Sequence, residues 1–201
     1  MENKITAYCR IRKGIVSCNG SLIYTNTEEQ DHVQFLNQTY RFLKPEYPKF
    51  FKMDPLSKLA FLATHLLLRD RDFGAESHLD TAVILNNSAA SVAVDRQYQH
   101  STEDFPAPSL FVYTLPNVMV GEICIRYKIF GENTVFVTEK FAPQQLEKMI
   151  HAIDSEGNTS RYIIGYVDED GYEGDAFLML VEKNKDGLPF TAEIINNLYL
   201  Q

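Results

Sequence analysis

The sequence predicts an α/β fold in which a mostly parallel, mixed sheet lies between helices. Continuous apolar runs at residues 81–85, 162–167 and 176–181 are typical of buried strands. Residues 56–68 and 146–153 instead place apolar side chains at helical spacing. With 201 residues and 45% hydrophobic content, the chain can bury a sizeable core. We therefore expect one domain over residues 1–201.

The first half of the chain is predicted to begin with strands at residues 5–11 and 14–18, followed by a weakly marked helix or loop at residues 33–43. Asp54 is a good N-cap and Pro55 suits the first helical position, so a helix is predicted from there to residue 68. Apolar side chains surround this helix almost completely. That pattern predicts burial between layers rather than a surface position.

The second half contains a helix predicted at residues 116–127, after a stiff proline-containing connector. Gly121 inside that helix costs about 1 kcal/mol relative to alanine, which favours close approach of another backbone. Pro143 begins a helix that Gly157 and Asn158 are expected to end. The last segment, residues 188–200, is predicted as an edge strand.

Composition and charge exclude several functional classes. The formal net charge is −8 without a cluster of Lys and Arg, which argues against nucleic acid and against an anionic membrane surface. No basic segment with an apolar core follows Met1, and no apolar stretch approaches the ~20 residues of a membrane span, so a cytoplasmic protein is expected. The three cysteines are widely spaced, which favours reduced, buried thiols over a disulfide or metal site. No cofactor and no metal are expected.

Some polar residues suggest chemistry, yet a structural role explains each better. His65 has no identifiable catalytic partner and suits a hydrogen-bonded core position. Ser88 and Ser91 lack a G-x-S-x-G context and suit capping and turns. Residues 168–175 are rich in carboxylates but lack the distal Glu of a calcium loop, so a solvated turn is predicted.

Glu139, Lys140 and Phe141 lie at a predicted sharp turn from a strand at residues 134–138 into the helix that begins at Pro143. In several α/β enzyme classes such a turn exposes a nucleophile beside a helix N-terminus, which stabilises developing negative charge. Neither Ser nor Cys is present among the three residues. The turn therefore has the position of an active-site elbow without its nucleophile.

Residues 108–123 and 130–133 resemble the N-terminal half of a β-ketoacyl synthase, a member of the thiolase-like family. Leu115-Pro116-Asn117 followed by Gly121 and Ile123 is similar to the helix motif of that family, and Gly131-Glu132-Asn133 is similar to its Gly-Pro-Asn turn. Weaker resemblance extends over residues 54–60, 81–88 and 173–182, and so covers most of the chain. It implies a thiolase-like half.

The resemblance also implies that catalytic groups are missing. In the family the turn bears a nucleophilic cysteine, and counting from Gly131 places this position at Lys140. None of the five histidines lies at a position matching the two histidines that complete the family's site. Phe141 replaces a small residue and is expected to fill the acyl channel. Chain-length factors, inactive relatives that pair with an active synthase, have this character.

For such a relative, the resemblance implies association through the strand before the elbow and the nearby helix. The expected interface residues are Gly121, Thr134, Val135, Phe136, Val137 and Thr138. The expected partner is an active β-ketoacyl synthase in a heterodimer, or a second copy in a homodimer, with acyl carrier protein as a further partner. Fatty-acid, polyketide or aryl polyene biosynthesis is the implied setting.

Two alternatives stay open. The chain could be an acyl-transfer or hydrolytic enzyme that uses Lys140, Glu139 or an unrecognised hydroxyl, since a desolvated lysine is a nucleophile. It could also be a stand-alone acyl-binding scaffold. An open pocket at Lys140 would favour the enzyme, and a Cys-containing synthase encoded beside the gene would favour the partner subunit.

Overall fold

A computed structural model describes residues 2–26, 31–71, 77–155 and 159–201. The strands of these ranges are β1 (Asn3–Arg12), β2 (Ile15–Cys18), β3 (Ser21–Thr25), β4 (Thr81–Asn87), β5 (Asn133–Val137), β6 (Arg161–Glu169), β7 (Gly174–Lys183) and β8 (Leu188–Pro189). The helices are α1 (His32–Leu43), α2 (Pro55–Leu68), α3 (Ser77–Asp80), α4 (Val92–Ser101), α5 (Pro108–Phe111), α6 (Val118–Tyr127), α7 (Pro143–Asp154) and α8 (Ala192–Leu200), with 3₁₀ turns at Pro48–Lys52 and Val112–Thr114. Gly157 and Asn158, the expected end of α7, lie outside the described residues.

All eight strands form one sheet in the order β3-β2-β1-β7-β6-β4-β5, with β8 paired to β1. The predicted α/β class and mixed sheet are confirmed. The expected predominance of parallel pairs is wrong, because only β4 pairs in parallel, with β5 and with β6. The other described pairs are antiparallel. Tight turns such as Lys13-Gly14 cause this difference, since a two-residue connection permits only antiparallel pairing.

Helices cover both faces of the sheet and create two apolar clusters. On one face α2 packs against β1, β6 and β7 and also against α1 and α6. Twelve of its 14 residues are buried, which confirms the predicted position between layers. The Asp54 carboxylate caps it by accepting the N–H groups of Leu56 and Ser57 at 3.2 Å each. On the other face α7 and α8 cover a second cluster, centred on Ile84, Ile164 and Met179.

The C-terminal segment differs from its prediction. Only Leu188 and Pro189 form an edge strand, whereas Ala192–Leu200 is a helix. The Thr191 hydroxyl caps that helix by accepting the N–H of Ile194 at 3.3 Å. Ile195 and Leu198, three residues apart, then point into the core. The segment is helical because Thr191 supplies an N-cap and because its buried apolar residues have helical spacing.

No single helix of the described residues is long and apolar enough to cross a membrane. Pro108–Thr114 and Val118–Tyr127 have the length and apolar composition of a membrane span only when they are combined. The two parts are bent by 96° relative to each other. Cys9, Cys18 and Cys124 are free thiols. His65 lies 3.4 Å from the Tyr127 hydroxyl and stacks on Phe61, and burial lowers its pKa, as suits a core histidine.

Candidate functional site

The predicted elbow is present at the end of the sheet where the parallel strands terminate. β5 ends at Val137 and α7 begins at Pro143, so residues 138–142 make the turn. The side chains of Glu139 and Lys140 are exposed on it. Four cavities of 180 to 510 Å³ in the described part of the chain are lined by other residues. Lys140 thus lies at a surface turn.

The buried side chain of Asn86, near the end of β4, holds this turn in place. Its Nδ2 donates to the Phe136 carbonyl oxygen at 3.2 Å and to the Thr138 hydroxyl at 2.5 Å. Its Oδ1 accepts the N–H of Ala142 at 3.0 Å. The Thr138 hydroxyl in turn donates to the Lys140 carbonyl oxygen at 2.8 Å. One amide therefore joins both sides of the turn, and this role was missed because its partners are about fifty residues away.

Phe141 inserts into an aromatic cluster below the turn. Its ring centroid lies 4.1 Å from that of Tyr199, 5.7 Å from that of Tyr166 and 5.9 Å from that of Phe177. Tyr199 belongs to α8, so the C-terminal helix covers the inner side of the elbow. Burial, followed by a 2.6 Å hydrogen bond to Asp175, raises the pKa of the Tyr199 phenol and keeps it neutral. The space beneath the turn is filled by aromatic rings.

A second polar arrangement lies at the ends of β4 and β6. The N–H groups of Ser88 and Ala89 both donate to Asp168 Oδ1, at 3.0 and 2.7 Å. Asn87 Nδ2 donates to the same oxygen at 3.2 Å. Adjacent backbone N–H groups of this kind can bind an anion. Here the protein's own carboxylate occupies them.

The serines and the acidic turn have structural roles that the sequence predicted only in part. The Ser88 hydroxyl was predicted to act as a cap. It instead accepts a hydrogen bond from the Tyr166 hydroxyl at 2.9 Å. Ser91 precedes α4, but its hydroxyl makes no capping hydrogen bond and donates to the Thr114 carbonyl oxygen at 2.6 Å. In the acidic turn, Asp170 Oδ1 accepts the N–H groups of Tyr172 and Glu173 at 2.9 Å each. The Asp170 carboxylate therefore closes the turn around two backbone N–H donors.

β5 is the terminal strand of the sheet, and its second edge has no neighbour within the described residues. The Glu132 carbonyl oxygen accepts the backbone N–H of Val83, and the Thr138 N–H donates to the carbonyl oxygen of Asn87. Both Val83 and Asn87 belong to β4. Alternation along a parallel ladder then directs the backbone groups of Thr134 and Phe136 toward β4. Those of Val135 and Val137 point to the free edge. The Val137 side chain is 55% exposed, whereas Val135 and Phe136 pack against the two core clusters.

Residues 111–130, which precede β5 in the sequence, also expose apolar side chains. They are Phe111, Val112, Leu115, Ile125 and Phe130. Gly121 lies on α6, one helical turn before Ile125, and a Cβ built there would meet no described atom of another element within 4 Å. Close approach of another described segment of the chain therefore does not explain this glycine. A contact with another chain at Gly121 stays a prediction.

No protein-family model and no curated protein matches the sequence. Solved structures do match. A chain of the ishigamide ketosynthase/chain length factor aligns with a TM-score of 0.65 and 16% identity, over 94% of this chain and 64% of its own length. A chain from the complex of a ketosynthase (ApeO) with its chain length factor (ApeC) from Xenorhabdus doucetiae aligns with a TM-score of 0.59 and 12% identity, over 99% of this chain and 90% of its own. A β-ketoacyl synthase from Burkholderia phymatum aligns with a TM-score of 0.60 and 12% identity, over 90% of this chain and 59% of its own.

These similarities show the fold. The chain has the thiolase-like fold of ketosynthases and chain length factors, as the resemblance implied. It spans less than two thirds of the ishigamide and Burkholderia chains. It spans nine tenths of the Xenorhabdus chain, which is therefore of similar size.

Proposed function

We propose that this chain is a non-catalytic, chain-length-factor-like partner of an active β-ketoacyl synthase in fatty-acid, polyketide or aryl polyene type biosynthesis. The observation that carries the proposal is the turn after β5, which exposes Lys140 and is filled beneath by Phe141. The sequence resemblance assigns the synthase nucleophile to this turn. The fold supplies the context, and the free edge of β5 supplies a surface for the partner.

The chemistry of the turn supports the non-catalytic part of the proposal. Condensation in the resembling family needs a thiolate that bears the acyl chain, and Lys140 cannot supply one. Nucleophilic lysines are activated by desolvation, whereas Lys140 is exposed to water. The adjacent pair of backbone donors at Ser88 and Ala89 is occupied by Asp168. The groups around the turn are therefore engaged with one another.

The free edge of β5 supports the partner part of the proposal. An exposed strand edge with few charged side chains favours pairing with another strand. The edge presents the backbone groups of Val135 and Val137 together with the exposed Val137 side chain. The Xenorhabdus structure is a complex of a ketosynthase with its chain length factor, which makes a heterodimer the arrangement to test first.

Association is tested with Val137→Lys. The tagged chain is co-expressed with a Cys-containing β-ketoacyl synthase, and co-purification and sedimentation are measured. A lysine buried without a partner costs about 3 kcal/mol, so affinity should fall by about a hundredfold. Ile15→Lys is the matched control, because Ile15 is also β-branched, lies in a strand and is 49% exposed, but belongs to β2 near the opposite edge of the sheet.

Two outcomes would contradict this part of the proposal. A wild-type chain that is monomeric and retains no synthase would favour the stand-alone scaffold. Equal retention of the synthase by Val137→Lys and wild type would place any interface elsewhere.

Catalytic silence is tested with acyl and malonyl thioesters on a carrier protein. We expect no condensation, decarboxylation or covalent acyl adduct above the level of a Lys140→Ala variant. Turnover that depends on Lys140 would establish the enzyme alternative in place of the proposed role.

A further inference from the structure

Cys9 and Cys18 are directly opposite each other on the antiparallel pair β1–β2. The two strands are joined by Lys13 and Gly14, whose φ values of 49° and 74° are typical of a tight hairpin turn. The register from this turn pairs Arg12 with Ile15 and, three pairs further along, Cys9 with Cys18. These cysteines are nine residues apart in sequence but are cross-strand neighbours in the fold.

The hydrogen-bond pattern gives this pair the geometry that suits a disulfide. Asn19 donates its N–H to the Tyr8 carbonyl oxygen at 2.8 Å, which makes Tyr8 and Asn19 a hydrogen-bonded pair. Pairs alternate along an antiparallel ladder, so Cys9 and Cys18 form a non-hydrogen-bonded pair. The Cα atoms of such pairs lie ~4.5 Å apart, within the range found for disulfides.

Both thiols lie on the same face of the hairpin, toward α2. Cys9 is completely buried, and its Sγ donates to the Ala63 carbonyl oxygen at 3.2 Å. Cys18 packs against the apolar cluster to which Cys9 belongs. Burial raises the pKa of Cys9, and the nearby Cys18 thiol raises it further. A disulfide would form on this face at the cost of one weak hydrogen bond.

Access to the pair is one-sided. Cys18 is half-buried and lines a surface cavity of about 310 Å³ together with Asn19, Asp70 and Arg71. Burial raises the pKa of Cys18, and Arg69 and Arg71 partly oppose that effect. Cys18 is therefore the thiol that a dissolved oxidant reaches first, and Cys9 is positioned to react second.

We propose that Cys9 and Cys18 are a thiol-modification site that closes to an intrachain disulfide with a peroxide oxidant. The Cys18 thiolate attacks one oxygen of hydrogen peroxide, breaks the O–O bond and becomes a sulfenic acid as hydroxide leaves. The Cys9 sulfur then attacks that sulfur and forms the S–S bond as its proton passes to the second departing hydroxide. The proton that Cys18 lost on ionising converts the first hydroxide to water. The cysteines lose two electrons and the peroxide gains them. This site is independent of the role proposed above.

Peptide mapping tests the proposal on the purified full chain. The protein is treated with hydrogen peroxide, remaining thiols are alkylated, and trypsin is added without reductant. Arg10, Arg12 and Lys13 lie between the cysteines, so digestion leaves Cys9 and Cys18 on separate peptides that only a disulfide can join. We expect the linked peptide, loss of two of the three titratable thiols, and reversal of both by a thiol reductant.

Two variants separate pairing from general oxidation. Cys124→Ser removes the third thiol, on α6, and should still give the linked peptide. Oxidised wild type and Cys124→Ser should unfold several degrees higher than their reduced forms, because the new bond restricts the unfolded chain, whereas Cys18→Ser should show no such shift. The proposal is overturned by peroxide oxidation of Cys18 without the linked peptide, by a link that forms only between chains, or by an equal shift in Cys18→Ser.

Discussion

The turn after β5 and the free edge of β5 belong to one strand but differ in how their polar groups are used. In the turn, Asn86 satisfies groups on both sides, and Phe141 fills the space beneath. Along the edge, outward backbone groups find no partner strand within the described ranges. The part of the fold where catalysis would occur is closed by the protein itself, whereas the part where a subunit would join is open. The difference is the one expected if the proposed role in association is correct.

Loss of the Phe141 ring should cause the largest loss of stability at the turn. Phe141→Ala removes contacts with three aromatic rings and leaves a space beneath the turn, so we expect about 3 kcal/mol of destabilisation in chemical denaturation. Phe105→Ala is the matched control, since Phe105 is 88% exposed and its removal should change stability by less than ~0.5 kcal/mol. Equal losses in the two variants would show that the aromatic cluster does not close the turn.

Removal of the Asn86 amide should have the next largest effect. Asn86→Ala leaves the Ala142 N–H and the Phe136 carbonyl without a side-chain partner, for an expected cost of about 2 kcal/mol. Asn117→Ala is its control, because Asn117 is exposed and makes no capping hydrogen bond. An Asn86→Ala variant as stable as its control would mean that the turn holds its shape without the amide.

Glu169, which follows Asp168 at the closed end of β6, adds a pH dependence. Burial raises the pKa of its carboxyl to about 7, partly opposed by the hydrogen bond from the Gly171 N–H, whereas the unfolded pKa is 4.5. The folded state therefore holds the proton more tightly, and stability should fall as pH rises from about 4.5 through 7. Glu169→Gln keeps an acceptor for Gly171 and should flatten this slope by about 1 kcal/mol per pH unit. An unchanged slope would contradict the assignment to Glu169.

Proline at the free edge should change monomer stability least while preventing pairing. Val137→Pro removes an N–H that points outward, so monomer unfolding should change by less than ~1 kcal/mol, whereas synthase retention should be lost. Thr134→Pro removes an N–H directed at β4 and should destabilise the monomer by about 3 kcal/mol. Normal binding of the synthase by Val137→Pro would show that the free edge of β5 is not the site of pairing.

Local signals predicted the fold well where the cause was local. Asp54 and Pro55 identified the start of α2, and the apolar run at residues 81–85 identified β4. α8 differs from its prediction because apolar content alone does not separate a helix from a strand, whereas the Thr191 cap favours a helix. The predicted ratio of parallel to antiparallel pairs was wrong because tight turns such as Lys13-Gly14 produce antiparallel neighbours, and because β1 also pairs antiparallel with the distant strand β7.

The candidate site was predicted by position rather than by contacts. Sequence placed Lys140 and Phe141 at the elbow and β5 before it. It could not indicate that Asn86 joins the two sides of the turn, that Asp168 occupies the donors at Ser88 and Ala89, or that Tyr199 from the last helix stacks on Phe141. Each of these contacts joins residues at least fifty positions apart, and no spacing rule covers such pairs.

The occupation of Ser88 and Ala89 by Asp168 limits how this turn could be made catalytic. Lys140→Cys would supply the residue that the resembling family uses, but the thiol would stand above a filled aromatic cluster and beside donors that already hold a carboxylate. Synthase chemistry at this turn would need several simultaneous replacements, and we expect those at Asn86 or Phe141 to weaken the fold when made alone. A chain with these contacts would therefore gain such a site only through destabilised intermediates.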